Sequence, residues 1–265
     1  MLRIFQRLWQ VNWAEQWQYR ANLMMYLLYW LVSPVIYLAV WTTIARSQGS
    51  VSGLTPNDFV IYYMTLLIID QLTTDITIHI FAYKIMDGTL SSELIRPIHP
   101  LLTNTLVNNV AFKALTFMAL IPVWLVLWLL FQPDFSTVTW QGIALAIPAV
   151  LLGFGVGFLL SAIITCVSFW STRVWALFEF YMGLSVLFSG QFVPLQLMPP
   201  VIQNLARFLP FQLLKYFPIQ LVLGRLSPAE ILQGYLMGVI WIVIALLLFL
   251  QVWKSGIKKF SAVGA

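Results

Sequence analysis

Apolar runs long enough to cross a bilayer recur along most of this chain, and short polar or proline-marked intervals interrupt them. About twenty apolar residues traverse a hydrocarbon core of roughly 30 Å. On that criterion the pattern predicts six spanning helices, at residues 23–45, 58–82, 105–131, 142–168, 174–193 and 234–253. Ahead of them, Phe5, Leu8, Trp9, Trp13 and Trp17 recur at helical spacing, while Arg3, Arg7, Gln10 and Glu15 take other positions. That alternation predicts an amphipathic helix lying in the membrane interface. The first long run exceeds a secretory signal in length and is expected to remain as an anchor. The chain thus reads as an all-α integral membrane protein, with an interfacial helix at 1–22 and a six-span domain at 23–265.

Composition agrees with the pattern. The 265 residues are 61% hydrophobic and only 9% charged, with a mean hydropathy of +0.88, against roughly 25% charged in an average soluble domain. A net charge of +5 does not indicate nucleic acid, because the basic residues are scattered at segment ends with no basic stripe among aromatic side chains. Cys166 is the single cysteine and forms no intrachain disulfide. With only His79 and His99 as histidines, a metal site is not expected. Cytoplasmic loops of membrane proteins hold the excess of Lys and Arg. An inside amino terminus places Arg3, Arg7, Arg20, Lys84, Arg96, Arg173, Lys254, Lys258 and Lys259 there, and leaves Arg46, Arg207, Lys215 and Arg225 outside. Lys113 falls within the third run. Both termini are therefore expected in the cytoplasm.

Two intervals carry more pattern than a connecting loop requires. Residues 84–100 form a charged insert on the cytoplasmic side. Gly88 breaks the preceding helix and Thr89 is placed to cap a new one. Leu90 and Leu94, with Ile95, then share a face, Ser91, Ser92, Glu93 and Arg96 stay polar, and Pro97 and Pro100 stop the helix. The expectation is a two-turn amphipathic helix clamped between two spans. The second interval, 194–233, sets Pro194, Pro199, Pro200, Pro210 and Pro218 among Phe192, Leu205, Phe208, Phe211, Leu214 and Phe217. It is too apolar for a free loop. It predicts two short helices dipping back toward the membrane, the first begun by Pro200 and ended by Pro210.

Ionisable groups within spans cost about 2.5 to 3.5 kcal/mol each on insertion scales, so they should face protein or water. Gln71, Asp75 and His79 recur every four residues on the second span, Asp70, Thr74 and Thr77 lie beside them, and Glu179 stands in the fifth. An Asp75–His79 hydrogen bond along the helix would lower the cost. The polar wedge predicts a hydrated path or a subunit interface. Gly153, Gly157, Gly234 and Gly238 are spaced for close helix contact.

Several of these segments occur in a recognisable order. Tyr19-Arg20-Ala21-Asn22 enters the first span, and Gly88-Thr89-Leu90 leads to Arg96-Pro97-Ile98-His99-Pro100. Phe169-Trp170 with Arg173 opens the fifth span, Phe217-Pro218 leads through Leu223-Gly224-Arg225-Leu226-Ser227-Pro228, and Gly256-Ile257-Lys258-Lys259-Phe260 ends the chain. In this order and with this layout, the chain resembles an ABC type-2 exporter permease from the branch of two-permease systems. The resemblance implies a coupling helix at the insert, with Gly88, Leu90, Glu93, Leu94, Arg96, Pro97 and Pro100 meeting a cytoplasmic ABC ATPase. It implies an exit cap built on Pro194, Pro200, Phe208, Pro210 and Phe211, and a second permease, a heterodimer being expected over a homodimer. Asp70, Gln71, Thr74, Asp75, His79 and Glu179 would line the path for an amphipathic drug, lipid, peptide or glycan across a bacterial inner membrane. No glycine is followed by lysine, so the phosphate-binding loop is absent, and ATP and Mg are expected on the partner. A proton-coupled secondary transporter using Asp70, Asp75 and His79 is the alternative, although no inverted repeat is evident. A membrane enzyme is disfavoured, since His-Glu-x-x-His and Gly-x-Ser-x-Gly are missing.

Overall fold

The computed structural model describes residues 2–260. The side chains of Arg3, Phe5, Arg20 and Asn22, used above, lie outside the described part. Every regular element within it is helical. In chain order these are α1 (Leu2–Gln18), α2 (Arg20–Gln48), α3 (Pro56–Thr73), α4 (Thr77–Met86), α5 (Ser91–Leu94), α6 (Leu106–Phe131), α7 (Trp140–Cys166), α8 (Val174–Phe188), α9 (Pro200–Phe208), α10 (Tyr216–Val222) and α11 (Pro228–Gly256).

Among the described residues, five helical stretches are long and apolar enough to cross a membrane: Met24–Gln48, Pro56–Met86, Leu101–Phe131, Trp140–Phe169 and Pro228–Gly256. Six were expected. The difference lies at α8, which has 15 residues and so covers about 22 Å at 1.5 Å per residue, short of a 30 Å core. It stops early because Ser189 leads into Gly190 at φ +81°, and the backbone beyond is held by side chains. Tyr62 Oη donates to the Gly190 carbonyl at 2.7 Å, while Tyr63 Oη and Trp41 Nε1 donate to that of Phe192 at 2.9 and 3.2 Å.

Contacts define two ends. At one, the first turn of α3 meets the segment before α7 through Asn57 and Asp134, near residues 190–227. There α3 and α11 begin alike: Thr55 with Asp58 and Ser227 with Glu230 form reciprocal capping boxes, and Pro56 and Pro228 fill the first helical position. Arg225 Nη2 pairs with Asp58 Oδ1 at 2.5 Å, tying the two starts together. At the other end the 84–100 insert lies against an aromatic cluster of Phe81, Phe169, Phe249 and Trp253.

The 194–227 segment is not a surface loop. The turn Pro210–Leu213 passes so close to α7 that a Cβ on Gly153 would sit 2.5 Å from the Leu213 carbonyl oxygen. Gly153 is 13 residues into α7, about 20 Å from its start, so the segment penetrates the bundle. Pro200 opens α9 at its first position, as expected. That helix ends at Phe208, with Leu209 already extended, and Pro210 begins the next turn instead of closing this one.

α1 packs along α6. Asn108 Nδ2 donates to Asn12 Oδ1 at 2.7 Å, Gln16 Nε2 donates to Asn108 Oδ1 at 3.4 Å, and Trp13 rests against Phe112 and Leu115. Trp9 and Trp17 remain exposed.

Candidate functional site

The continuous second span expected from hydropathy is broken. Helix α3 ends at Thr73, Thr74 is extended at ψ 140°, and α4 starts at Thr77. A break at this depth frees backbone groups that must find partners, and here side chains supply them. Asn109 Oδ1, from α6, accepts from the Ile76 amide at 2.9 Å, and Asn109 Nδ2 donates to Thr77 Oγ1 at 3.3 Å. Asp75 folds forward to accept from the Thr77 amide at 3.1 Å and the Thr77 hydroxyl at 2.6 Å. The expected Asp75–His79 hydrogen bond is therefore not made. His79 lies instead against Trp175 and Phe178 of α8, ring centroids 5.2 and 5.8 Å away.

Asp70, just before the break, pairs with Lys215 at 2.6 Å, both side chains buried, and accepts from Thr74 Oγ1 at 3.3 Å. Lys215 also donates to Gln191 Oε1 at 2.5 Å. Lys215 was expected among the outside loop charges. The penetrating segment instead carries it to Asp70, 14 residues into α3 and about 21 Å from its start.

These groups surround a cavity of about 880 Å³, within the range typical of ligand sites. Thr74, Asp75, His79 and Glu179 line it, and Lys215, Gln191, Asn108 and Glu15 join them. Aromatic walls come from Tyr26, Phe112, Phe178 and Tyr181. Asp70 and Gln71 are not in the lining; Gln71 Nε2 turns away to donate to Thr116 Oγ1 at 2.5 Å. Of the missed residues, Lys215 had a legible signal: a lysine inside an apolar, proline-broken interval needs a buried acid.

The insert also departs from expectation. Gly88 takes φ +74°, a conformation that favours glycine, and the helix after it is a single turn, Ser91–Leu94. Thr89 provides no side-chain cap; the hydroxyls of Ser91 and Ser92 donate to the carbonyls of Gly88 and Thr89. Leu90 is fully buried, Leu94 packs beside it, and Glu93 turns inward to pair with Lys84 at 2.7 Å. Ile95 points the other way at 87% exposure, next to exposed Arg96 and Pro97. Pro100 is buried and starts the helical turn Leu101–Thr105 that leads into α6. In the segment expected to form the cap, Pro194, Pro210 and Phe211 are buried, Phe211 near the Phe188 ring, while Pro200 and Phe208 are exposed.

A bundle of membrane-length helices around a polar cavity, with a small charged insert at one end, now meets an independent comparison: the model of the ABC-2 family transporter protein matches residues 31–264. The chain belongs to the ABC-2 transporter family. It is a multi-pass membrane protein and a transport subunit of an ABC system, a kind of subunit that is generally not the ATPase. Membership implies association with an ABC ATPase. No curated protein matches the chain.

Proposed function

We propose that this chain is the permease subunit of an ATP-driven exporter that carries an amphipathic or hydrophobic cargo outward through the cavity at the span-two break. The observation that carries this reading is the cavity itself. Asp75 at the break, Glu179 of α8, Asn108 of α6, Glu15 and Gln16 of α1, and Gln191 and Lys215 give it polar groups, and the rings of Tyr26, Phe112, Phe178 and Tyr181 stand among them. Such a surface solvates a polar head and an apolar body at once. The chain crosses the membrane six times, α8 completing the fifth crossing with residues 189–193, and both termini are cytoplasmic. The pairing of Lys215 with Asp70 removes one basic residue from the outer count and strengthens the positive-inside assignment. α1 flanks the cavity through Glu15 and Gln16, with Tyr19 just after it, and frames a lateral entrance from the inner leaflet. A second permease, different in sequence, supplies the other wall.

ATP is hydrolysed on the partner, and the insert receives the motion. Because Glu93 is committed to Lys84, the docking surface is the exposed tip, Ile95-Arg96-Pro97. ATP binding can shift the bundle only if the closed ATPase pair favours one position of that tip over the other. The tip is fixed from behind by Leu90, Leu94 and Trp253.

Co-expression with the ATPase tests this. Ile95→Asp with Arg96→Glu is expected to abolish co-purification of the ATPase and ATP-driven uptake of a fluorescent amphiphile into inside-out vesicles. Thermal stability should stay unchanged, since both side chains are exposed. Normal co-purification and uptake would remove the insert from the mechanism. Uptake by the chain alone under a pH gradient would replace the reading with a proton-coupled transporter.

A further inference from the structure

We infer that a second groove, between α3, α6 and α7, binds an acidic amphiphile whose anionic group is received by Lys113 and whose acyl chain lies along the groove. The groove measures about 970 Å³ and shares no lining residue with the polar cavity, so the inference does not rest on the export reading. Its walls are apolar, among them Ile69, Phe117, Trp124, Trp140 and Phe154. The single charged side chain in the lining is Lys113.

That lysine is unusual on three counts. It stands 12 residues after Leu101 in a continuous helical span, about 18 Å along an axis of which roughly 30 Å lies in hydrocarbon. Lysines near span ends extend their ammonium to the interface, but Lys113 is 8% exposed and its Nζ is covered, 4.7 Å from the centroid of the Phe154 ring. Finally, Nζ makes no hydrogen bond among the described residues although an ammonium has three to give. The carboxylates whose field reaches it, Asp70 and Asp75, are engaged by Lys215 and Thr77. A buried charge without an acceptor is costly, and a ligand that brings a carboxylate or phosphate oxygen removes that cost with a charge-assisted hydrogen bond. The apolar walls require that the oxygen arrive on a hydrocarbon chain. Phe154, over the ammonium and in the groove wall, is the ring that turns aside to admit it.

The test uses the full chain in phosphatidylcholine nanodiscs and a palmitate carrying a diazirine on its chain, with labelled residues mapped by mass spectrometry. Labelling is expected on groove residues of α6 and α7. Lys113→Met should reduce it at least about tenfold, the scale of a lost charge-assisted hydrogen bond, while Lys113→Arg retains it. Ile147→Trp, a lining position that is 60% exposed, should reduce it by filling the groove while Lys113 stays in place. Oleate should compete and oleyl alcohol, which has the chain without the acid, should not. Competition by oleate alone identifies a free fatty acid as the source, and competition by phosphatidylglycerol as well identifies the head group of an anionic bilayer lipid. Three results would overturn the proposal: labelling of Lys113→Met equal to wild type, oleyl alcohol competing as well as oleate, or absence of labelling on the groove residues.

Discussion

Lys215 and Lys113 are both buried lysines in a membrane protein, 4% and 8% exposed, yet the bundle treats them in opposite ways. Lys215 has a carboxylate at 2.6 Å and an amide oxygen besides. Lys113 has an aromatic face and, among the described residues, no hydrogen bond. One charge is satisfied from within, by a segment that penetrates the helices to deliver it. The other is left for something outside the chain. A buried, partnered ion pair points to architecture, here the joint between span two and the 194–227 segment. A buried, unpartnered cation beside an apolar groove points to a ligand.

The contrast breaks most sharply at Lys215. Lys215→Met strands Asp70 with little more than the Thr74 hydroxyl, and loss of one member of a buried pair costs about 3 to 5 kcal/mol. Asp70→Asn combined with Lys215→Met removes both charges and should recover most of that loss. Thermal unfolding of the purified variants in detergent reads the difference. If the single variant is no less stable than the double, the pair does not hold the joint.

Lys113→Met has the opposite sign. It removes a cation with no hydrogen-bond acceptor and leaves a flexible apolar side chain in its space, so nanodiscs free of acidic lipid should show a gain of about 1 to 3 kcal/mol. Addition of oleate should then stabilise the wild type and leave Lys113→Met unmoved. Destabilisation comparable to that of Lys215→Met would mean that Lys113 already has an internal partner, and the two lysines would be alike.

The same contrast explains what the sequence could and could not convey. Long apolar runs mark helices because burial and backbone satisfaction in lipid are both local properties, and five of the six expected runs persist as stretches of membrane-crossing length, the second of them broken. The break at 74–76 was invisible because its partners come from elsewhere: Asn109 lies 33 residues on. Hydropathy alone extends Gln71, Asp75 and His79 along one unbroken helical stripe, with Asp70, Thr74 and Thr77 beside it. Likewise Lys215 reads as a loop charge until the segment around it is known to pass beside Gly153. The insert was legible as a clamped element through Gly88, Pro97 and Pro100. Its inner side was not, since Glu93 is drawn inward by Lys84, nine residues away, in place of facing out with Arg96. Four members of the expected path reached the cavity, Thr74, Asp75, His79 and Glu179; the residues that close it were contributed by segments whose approach is a tertiary fact.

His99 offers a third way to bury a titratable group, which is to keep it neutral, and it should give the smallest effect. Its ring lies 4.6 Å from that of Trp253 and 5.7 Å from that of Phe249. The Leu101 amide donates to Nδ1 at 3.2 Å, so the ring's own proton sits on Nε2, which has no acceptor. Burial holds this imidazole below its ordinary value. Above a pH of about 6.5 the folded and unfolded chains are both neutral at His99, and the residue contributes no pH dependence. As pH falls below that value the unfolded chain takes up the proton first, so stability is lost until the folded ring protonates as well. Thermal unfolding between neutral and mildly acidic pH should therefore decline less steeply in His99→Phe than in the wild type, because carboxylates elsewhere titrate equally in both. Since His99 joins the insert to Trp253, the same acid shift should loosen the seat of the Ile95 tip and weaken ATPase co-purification in the wild type alone. Identical slopes in the two proteins would show that His99 is already charged, or paired, in the folded state.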